Sequence, residues 1–196
     1  MIYIHGKGGH GRVVAEAWGN EYRFTDDADG TRPPPDAHWI CAIGKNASRK
    51  SIGAGNVPVL HRTAFVAGDI CYLIGMGVYV GARAVVNFGA TLGDGCIVNT
   101  GAIVEHDCWV GDFAHIAPGA ILCGNVKIGE GVLVGAGAVV KQGLSIGAWA
   151  VIGCGAVVTH DIPAGETWAG VPARKLDSLT PAGAGVSVPP SPVGVL

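Results

Sequence analysis

The chain lacks the features that mark several classes of protein. Its 196 residues carry 13 Lys and Arg against 15 Asp and Glu, so the basic face of a typical nucleic-acid-binding protein is not expected. No stretch approaches about eighteen uninterrupted apolar residues, and the opening IYI strand lacks the basic region and apolar run of a signal peptide. We therefore expect no nucleic-acid partner, no membrane association and a cytoplasmic location.

Cysteines in metal-binding or disulfide patterns are also missing. The six cysteines form no Cys-x-x-Cys pair and stand at positions 41, 71, 96, 108, 123 and 154. Cys96 and Cys108 fall at a place that the repeat described below turns inward, where a thiol behaves as a small hydrophobic group. We therefore expect neither a disulfide framework nor a zinc site.

Glycine is abundant instead, with 33 residues, and it follows a period of six. Fifteen consecutive hexads run without insertion over residues 74–163, and each opens with an aliphatic residue, while the fifth place is usually small. A period of six fits neither a helix nor an alternating strand, but it fits a chain that turns a corner every six residues. The pattern predicts a parallel β-helix with three flat faces and about eighteen residues per coil.

The remaining segments do not follow the hexad pattern. Residues 1–60 are expected to form a small Rossmann-like α/β sheet, because strand and helix patterns alternate there. The predicted elements are strands at residues 2–4, 22–25 and 39–43, a helix up to Trp18, and a short helix capped by Asn46. Residues 61–73 would connect this domain to the β-helix, residues 164–179 would cap its last coil, and residues 180–196 would form a disordered tail.

A glycine-rich motif, Gly6-x-Gly8-x-x-Gly11, lies between the first predicted strand and the first helix. Glycines let backbone N–H groups approach a phosphate at a helix N-terminus. Asp26 and Asp27 follow about twenty residues later, where a contact to a ribose or base is expected. The motif fits a phosphate-binding loop or a plain tight turn, and the unit is too short for NAD.

Histidines next to carboxylates form a second candidate site. Glu105-His106-Asp107 is followed by His115 nine residues later, and neither histidine occupies an inward place of its hexad. Both rings are therefore expected outside the prism, near a corner. A histidine oriented by a carboxylate is the usual general base, whereas the alternative is a pair of solvated surface histidines. Two histidines alone do not make a catalytic zinc site.

A basic pair follows the last hexad. Arg174 and Lys175 lie close to Pro172, beyond the end of the predicted β-helix. Two cations there could bind a phosphate group. The same residues would equally suit a solvated start of a helix, so the pair by itself does not decide between these interpretations.

Over residues 1–176 the chain resembles the left-handed β-helix acyltransferases, specifically the bacterial nucleotide-sugar N-acetyltransferases that acetylate a 4-amino sugar on UDP. Sialic acid O-acetyltransferases are close relatives of that family. The resemblance lies in the stretches IYIHGKGGHGRVV, AIGKNASRKSI and VEHDCWVGDFAHIAPGAILCGNVKIG, with the more general GVPARK motif after the repeats. It implies left-handed coiling, whereas parallel crossovers are otherwise nearly always right-handed.

The resemblance also implies a homotrimer with acetyl-CoA in the cleft between neighbouring β-helices, and no metal. His106 would take a proton from the sugar amine, and Asp107 would tune its imidazole. Asn99 would help to hold the reacting sugar. His115 would lie beside the thioester, with Gly124 near it to offer backbone to the cofactor.

Two further sets of residues take roles from the same resemblance. The residues expected to contact the pantetheine and nucleotide end of acetyl-CoA are Val171, Pro172, Ala173, Arg174 and Lys175. The residues expected to hold the diphosphate of the UDP-sugar are Gly8, Gly9, His10 and Gly11. Asp26 or Asp27 would hold the uridine, and Lys7 departs from the family pattern, which usually has a small residue there.

The predicted function is acetyl-CoA-dependent N-acetylation of the 4-amino group of a UDP-linked 4-amino-4,6-dideoxy sugar. The hexads contain no inserted loop, so recognition of the acceptor is expected from the N-terminal domain and a neighbouring subunit. Direct transfer is expected because Cys96 and Cys108 point inward and cannot carry the acyl group. The alternatives are O-acetylation of a sialic acid or related sugar, and a non-catalytic β-helix scaffold.

Overall fold

The computed structural model describes residues 1–68 and 74–176, and the predicted tail lies outside this range. The N-terminal part is a small α/β domain whose parallel sheet has the order β2-β1-β3. Its elements are β1 (Ile2–His5), α1 (Gly9–Trp18), β2 (Tyr22–Thr25), a single 3-10 turn (Asp27–Asp29), β3 (Trp39–Cys41) and α2 (Asn46–Ile52). Asn46 is the first helical residue of α2, and Lys45 rather than Asn46 is its N-cap.

The rest of the described chain is a β-helix built from two-residue strands in three parallel sheets. The first face holds β4 (Val59–Leu60), β6 (Tyr79–Val80), β9 (Ile97–Val98), β12 (His115–Ile116), β15 (Leu133–Val134) and β18 (Val151–Ile152). The second face holds β5 (Phe65–Val66), β7 (Val85–Val86), β10 (Ile103–Val104), β13 (Ile121–Leu122), β16 (Val139–Val140) and β19 (Val157–Val158). The third face holds β8 (Thr91–Leu92), β11 (Trp109–Val110), β14 (Lys127–Ile128) and β17 (Ser145–Ile146).

The predicted division between inward and outward places is confirmed. From Val80 to Val158 every hexad opener is buried, and most fifth-place residues are buried with them, including Cys96 and Cys108. Each strand consists of the sixth residue of one hexad and the opener of the next, so the sixth-place side chain points outward. The core of the β-helix is therefore a column of small and aliphatic side chains.

The corners between faces depend on one backbone conformation. The fourth place of all fourteen hexads from Gly77 to Gly155 has a positive φ. Glycine fills most of these places because it adopts this left-handed conformation without steric cost. The five exceptions are Arg83, Asp107, Phe113, Asn125 and Trp149.

The regular offset of 18 residues between stacked strands changes at both ends of the β-helix. The hexad pattern places the first coil at residue 74, but β4 and β5 already pair with β6 and β7, at an offset of 20. The β-helix therefore reaches into the predicted connection of residues 61–73. At the other end Ile162 lies beside Ile146, an offset of 16, so the last predicted hexad is cut short.

The C-terminal cap continues the first face. β20 (Thr167–Ala169) pairs with β18 in parallel, and β21 (Arg174–Lys175) pairs with β20 in antiparallel. Of the helices in the described ranges, none has the length and apolar character needed to cross a membrane.

The N-terminal domain packs on the first face of the β-helix. Tyr79 and Ile97, both sixth-place residues, join the same hydrophobic cluster as Ile4, Val14 and Ile40 of the N-terminal domain. This cover ends before His115, the next sixth-place residue on the face. A cleft is therefore left beside His115, between the loop before α2 and the exposed remainder of the first face.

Candidate active site

His106 and Asp107 form a pair on the second corner, between the second and third faces. Nδ1 of His106 lies 2.9 Å from Oδ2 of Asp107, and more than half of each side chain is exposed. Asp107 has a φ of 60°, a conformation that Asp tolerates better than most residues. The carboxylate can accept the Nδ1 hydrogen, which leaves the Nε2 lone pair of the ring for a proton from a substrate.

Hydrogen bonds to the preceding coil and within the same corner support this pair. Oε2 of Glu105 accepts a hydrogen bond from Nδ2 of Asn87 at 3.0 Å and from the backbone N–H of His106 at 3.4 Å. The backbone N–H of Asp107 donates to the carbonyl oxygen of Phe88. The corner that carries His106 is thus held on both sides of the histidine.

The His106 ring lies directly over Gly124 of the next coil. A Cβ atom on Gly124 would approach Nε2 of His106 to 2.5 Å, so only glycine leaves room for the ring. The two residues line a cleft of about 270 Å³ together with Asn125, Gln142 and Gly143. The His106 ring therefore packs on Gly124 at the edge of an accessible cleft.

His115 occupies a second and larger cleft on the first face. Its Nε2 lies 3.1 Å from Nδ2 of Asn99, and Gly44 lines the same cleft beside the ring. Burial, helped by the Arg49 cation, lowers the pKa of His115 to about 4, so the ring is neutral at pH 7. The cleft has a volume of about 580 Å³ and is lined by Gly44, Lys45, Asn46, Ala47, His115, Gly131, Leu133, Trp149 and Val151.

His10 and Tyr79 place further polar atoms between the N-terminal domain and the first face. Their rings meet edge to face at 5.1 Å, and burial, with a smaller effect of Arg49, lowers the pKa of His10 to about 4. Nε2 of His10 and the hydroxyl of Tyr79 are buried and have no hydrogen-bond partner within the described residues. Buried polar atoms are normally paired, so this place suits a polar group of a ligand.

The glycine-rich loop is open at its first glycines and closed at its last. A Cβ atom on Gly8 or Gly9 would meet no other atom, whereas one on Gly11 would lie 1.9 Å from the carbonyl oxygen of Gly6. Gly11 is therefore required by the close packing of α1 on β1. Gly8 and Gly9 leave the N-terminus of α1 accessible to an anion.

The two aspartates after β2 have different surroundings. Asp26 accepts hydrogen bonds from the backbone N–H of Lys7 at 2.7 Å and of Ala28 at 2.9 Å, and these bonds lower its pKa. Oδ1 of Asp27 is 2.8 Å from Nε of Arg32. The Lys7 ammonium is ion-paired with Asp29, so the cation that departs from the family pattern is held by a neighbouring turn.

The hexapeptide repeats match two family models. "Bacterial transferase hexapeptide (six repeats)" matches residues 107–142 and 125–160, and "Hexapeptide repeat of succinyl-transferase" matches residues 73–106. No sequence among curated proteins gives a significant match.

Solved structures match nearly the whole chain. The acetyltransferase domain of PglB from Neisseria gonorrhoeae FA1090 is 37% identical, with a TM-score of 0.80, and the match covers 89% of this chain and 98% of that domain. The chain belongs to the bacterial sugar N-acetyltransferases of the hexapeptide superfamily. A point mutant of perosamine N-acetyltransferase from Caulobacter crescentus, in complex with CoA and GDP-perosamine, is 32% identical, with a TM-score of 0.80 and coverage of 90% and 96%. WeeI from Acinetobacter baumannii AYE is 27% identical, with a TM-score of 0.73 and coverage of 90% and 99%.

In this acetyltransferase the predicted catalytic residues lie in two separate clefts. His106, Asp107 and Gly124 lie together, whereas Asn99 lies with His115. Gly124 and His115 line different clefts of one chain. The reason is the period of the coil, which stacks residues 18 apart and puts residues nine apart on different sides.

His115 also differs from the prediction of a ring near a corner. It lies in strand β12 and is half-buried, because the loop before α2 reaches over the first face. The ring stands outside the prism, as predicted, but in a cleft shared with the N-terminal domain. The hexad pattern alone does not indicate that the loop before α2 covers His115.

The GVPARK motif forms part of the cap of the acetyltransferase. Val171 is largely exposed and is joined to Pro172 by a cis peptide bond. The side chain of Ala173 is buried in the core of the β-helix, and its N–H donates to Val157, so that side chain is not available to a cofactor. Nζ of Lys175 lies 2.5 Å from Oε1 of Glu166.

Residues outside the predicted set also shape the larger cleft. Trp149 occupies a fourth place with positive φ, where the repeat usually has glycine, and the Lys50 ammonium lies 5.4 Å from the centre of its ring. A tryptophan in place of the usual glycine is visible in the sequence and could have singled out Trp149. Arg49 lies in the AIGKNASRKSI stretch and is fully buried. Among the described residues, no cluster of His, Cys, Asp and Glu could hold a metal ion.

Proposed function

We propose that this acetyltransferase uses acetyl-CoA to acetylate the 4-amino group of a UDP-linked 4-amino-4,6-dideoxy sugar. The observation that carries the proposal is the His106–Asp107 pair, whose ring packs over Gly124 at the edge of a cleft. The relatives support the chemistry, since one is crystallised with acetyl coenzyme A and another with CoA and GDP-perosamine.

His106 acts as the general base in this proposal. The amine nitrogen of the sugar forms a bond to the acetyl carbon, the bond from that carbon to sulfur breaks, and Nε2 of His106 takes the amine proton. The proton then passes to the CoA thiolate, which leaves as the thiol. Asp107 stabilises the imidazolium while it exists, and no acyl-enzyme forms.

A homotrimer unites the two clefts. Within one chain His106 and His115 line separate clefts, so a single β-helix does not hold both beside one thioester. In a trimer, the second corner of one β-helix would approach the first face of the next. Phe88 supports such packing, since it lies on the second corner and is 70% exposed.

The nucleotide end of the sugar binds to the N-terminal domain in this proposal. Gly8 and Gly9 at the start of α1 receive the diphosphate, with His10 beside them. Asp27 is the better candidate for the uridine contact, because both oxygens of Asp26 already accept backbone N–H groups. Asp27 engages Arg32 through Oδ1 and can offer its second oxygen to the ligand.

Acetyl-CoA runs along the first face towards the cap. His115 and Asn99 lie at the thioester end, and the exposed Val171 and Arg174 of the cap lie further along the same face. A cytoplasmic location fits the free cysteines of the described chain, which are Cys41, Cys96, Cys108, Cys123 and Cys154.

An acceptor panel tests the function. Purified enzyme is given acetyl-CoA with UDP-linked and GDP-linked 4-amino sugars and with matched sugars that carry a hydroxyl in place of the amine. Release of CoA thiol is followed, and the product is identified by mass spectrometry. We expect turnover with the UDP-linked amine. Preference for the GDP-linked amine would correct the nucleotide, and preference for the hydroxyl would establish O-acetylation.

A binding measurement separates an enzyme from a scaffold. Thermal shift with CoA and with UDP is recorded on the same preparation. Stabilisation by both ligands is expected, because each binds the folded protein selectively. Absence of any CoA effect, together with no turnover, would favour a non-catalytic β-helix.

A further inference from the structure

Arg49 is a buried cation whose partners are all neutral. Its side chain is inaccessible to solvent, and burial lowers its pKa only to about 10, so the guanidinium is charged at pH 7. Its hydrogen bonds run from Nε to the carbonyl of Gly95, from Nη1 to the carbonyls of Ile43 and Gly44, and from Nη2 to Oδ1 of Asn46 and the carbonyls of Phe113 and Ala114. A buried charge costs free energy unless it is fully hydrogen-bonded, so each acceptor matters.

These acceptors surround His115 on two sides. The carbonyls of Phe113 and Ala114, at 2.7 and 3.4 Å from Nη2, belong to the two residues immediately before His115. The carbonyl of Gly44, 3.0 Å from Nη1, lies in the loop that covers the His115 ring. Arg49 therefore joins the backbone that carries the histidine to the loop that faces it.

The ring nitrogens of His115 have separate partners. Nε2 lies 3.1 Å from the amide nitrogen of Asn99, which can only donate, so Nε2 is the acceptor. Gly44 lines the cleft beside the ring, and Nδ1 is the ring nitrogen left to donate to a carbonyl there. The Gly44 carbonyl is thus held by Arg49 in the loop that lines the cleft beside His115.

We propose that Arg49 is a positioning residue for His115: it holds the Gly44 carbonyl where Nδ1 of His115 can donate to it, which keeps the hydrogen on Nδ1 and a lone pair on Nε2. The nearby cation also disfavours a second proton on the ring, in agreement with the lowered pKa of His115. His115 is then a neutral acceptor.

The orientation of His115 also determines the orientation of Asn99. Oδ1 of Asn99 accepts the backbone N–H of Thr100 at 2.7 Å, and one amide hydrogen goes to His115. This arrangement fixes the amide and leaves its second hydrogen for an oxygen of a bound ligand. The consequence for catalysis depends on the proposed function, whereas the tautomer of His115 does not.

Nitrogen NMR of the wild-type enzyme is the first test. With ¹⁵N-labelled histidine, and His115 assigned by comparison with His115→Gln, we expect a neutral ring at pH 7 with hydrogen on Nδ1. A ring with hydrogen on Nε2, or one that titrates at its usual value near 6.5, would overturn the proposal. This measurement requires no variant of Arg49 and no substrate.

Variants of Arg49 supply the second test. Arg49→Lys keeps the charge but cannot reach all of the acceptors, and Arg49→Met removes the charge. We expect Arg49→Met to raise the His115 pKa and to mix its tautomers, and Arg49→Lys to preserve the low pKa but loosen the ring. Both should lose about ten- to a hundredfold in kcat/KM per folded enzyme, as misplacement of a reacting group does.

Ser51→Ala on the same helix is the matched control. Ser51 is exposed, and its hydroxyl donates to the carbonyl of Ser48 in the same helix, so kcat/KM and the His115 signals should match wild type. If folded Arg49 variants keep the wild-type tautomer and titration of His115, Arg49 has a structural role alone and the proposal is wrong. An enzyme without acetyltransferase activity would contradict the proposed function but leave the NMR result intact.

Discussion

Two His–Asp pairs in this chain have the same letters at the same places of the repeat but different structures. His106–Asp107 and His160–Asp161 both occupy the third and fourth places of a hexad on the second corner. In the first pair the carboxylate lies 2.9 Å from the ring. In the second, Nδ1 of His160 lies 3.0 Å from Oγ1 of Thr159, and Oδ1 of Asp161 accepts the backbone N–H of Ser145 at 2.8 Å.

The length of the corner explains the difference. At Asp107 the stacking offset is 18 and φ is positive, which turns the carboxylate back to the preceding histidine. At Asp161 the offset falls to 16 and φ is not positive, so the chain is two residues short there. The Asp161 carboxylate replaces a backbone carbonyl that a full coil would present to Ser145. A full-length corner, and not the His-Asp dipeptide, creates the candidate base.

The largest expected effect on kcat distinguishes His106 from His160. His106→Asn should lower kcat by at least about a hundredfold, because a general base contributes about 10²–10⁴ to the rate. His160→Asn should leave kcat unchanged, since within the described residues its ring bonds to Thr159 and to no catalytic group. Steady-state kinetics with saturating acetyl-CoA measure both. Equal losses in the two variants would show that the corner, and not the His106 ring, matters for turnover.

A smaller effect is expected when the ring is moved instead of removed. Gly124→Ala puts a methyl group 2.5 Å from the Nε2 position, so the exposed His106 ring must swing away. We expect kcat to fall by about ten- to a hundredfold, within the range for a misplaced catalytic group. The thermal midpoint should change little, because the ring is a flexible side chain.

A double variant tests whether Gly124 acts through the ring. In a His106→Asn background, Gly124→Ala should have little further effect on kcat, since residues that act through one contact are not additive. Full additivity would show that Gly124 serves the reaction in another way, for example through its backbone.

The hexads predict the β-helix well because burial of the openers repeats at every corner. They also show that Cys96 and Cys108 point inward. The partners of each histidine follow less directly. Gly124 stacks under His106 because of the 18-residue offset, which the period alone implies. The cover over His115 comes from Arg49 and Gly44, whose distance in sequence from residue 115 hides the contact.

The positions where the β-helix begins and ends were not predicted correctly, for a related reason. The offsets of 20 at β4 and β5 and of 16 at Ile162 keep the inward pattern but break the count of six. The six-residue period is visible only where the stacking offset is the regular 18 residues. The division of the site between two clefts is likewise invisible in one hexad, because it depends on how the chain stacks and on what packs against the first face.

Removal of the Asp107 charge should have a moderate effect. Asp107→Asn is expected to lower kcat by about tenfold, because the imidazolium loses a partner that solvent already screens. Asp161→Asn is the control and should not alter kcat. The pH dependence of kcat/KM measured for both variants gives a second readout. A wild-type rate in Asp107→Asn would mean that the pair only orients the ring.

The smallest expected effect concerns stability and belongs to the shortened corner. Asp161→Ala removes the acceptor of the Ser145 N–H and should destabilise the last coil by about 1 kcal/mol, the typical net worth of such a hydrogen bond. The thermal midpoint should fall by about 2–4 °C for a chain of this size. Asp161→Asn keeps an oxygen in the same place, so its midpoint should stay close to wild type. If alanine and asparagine were equivalent at this position, the carboxylate would not replace the missing carbonyl, and the difference between the two His–Asp corners would need another cause.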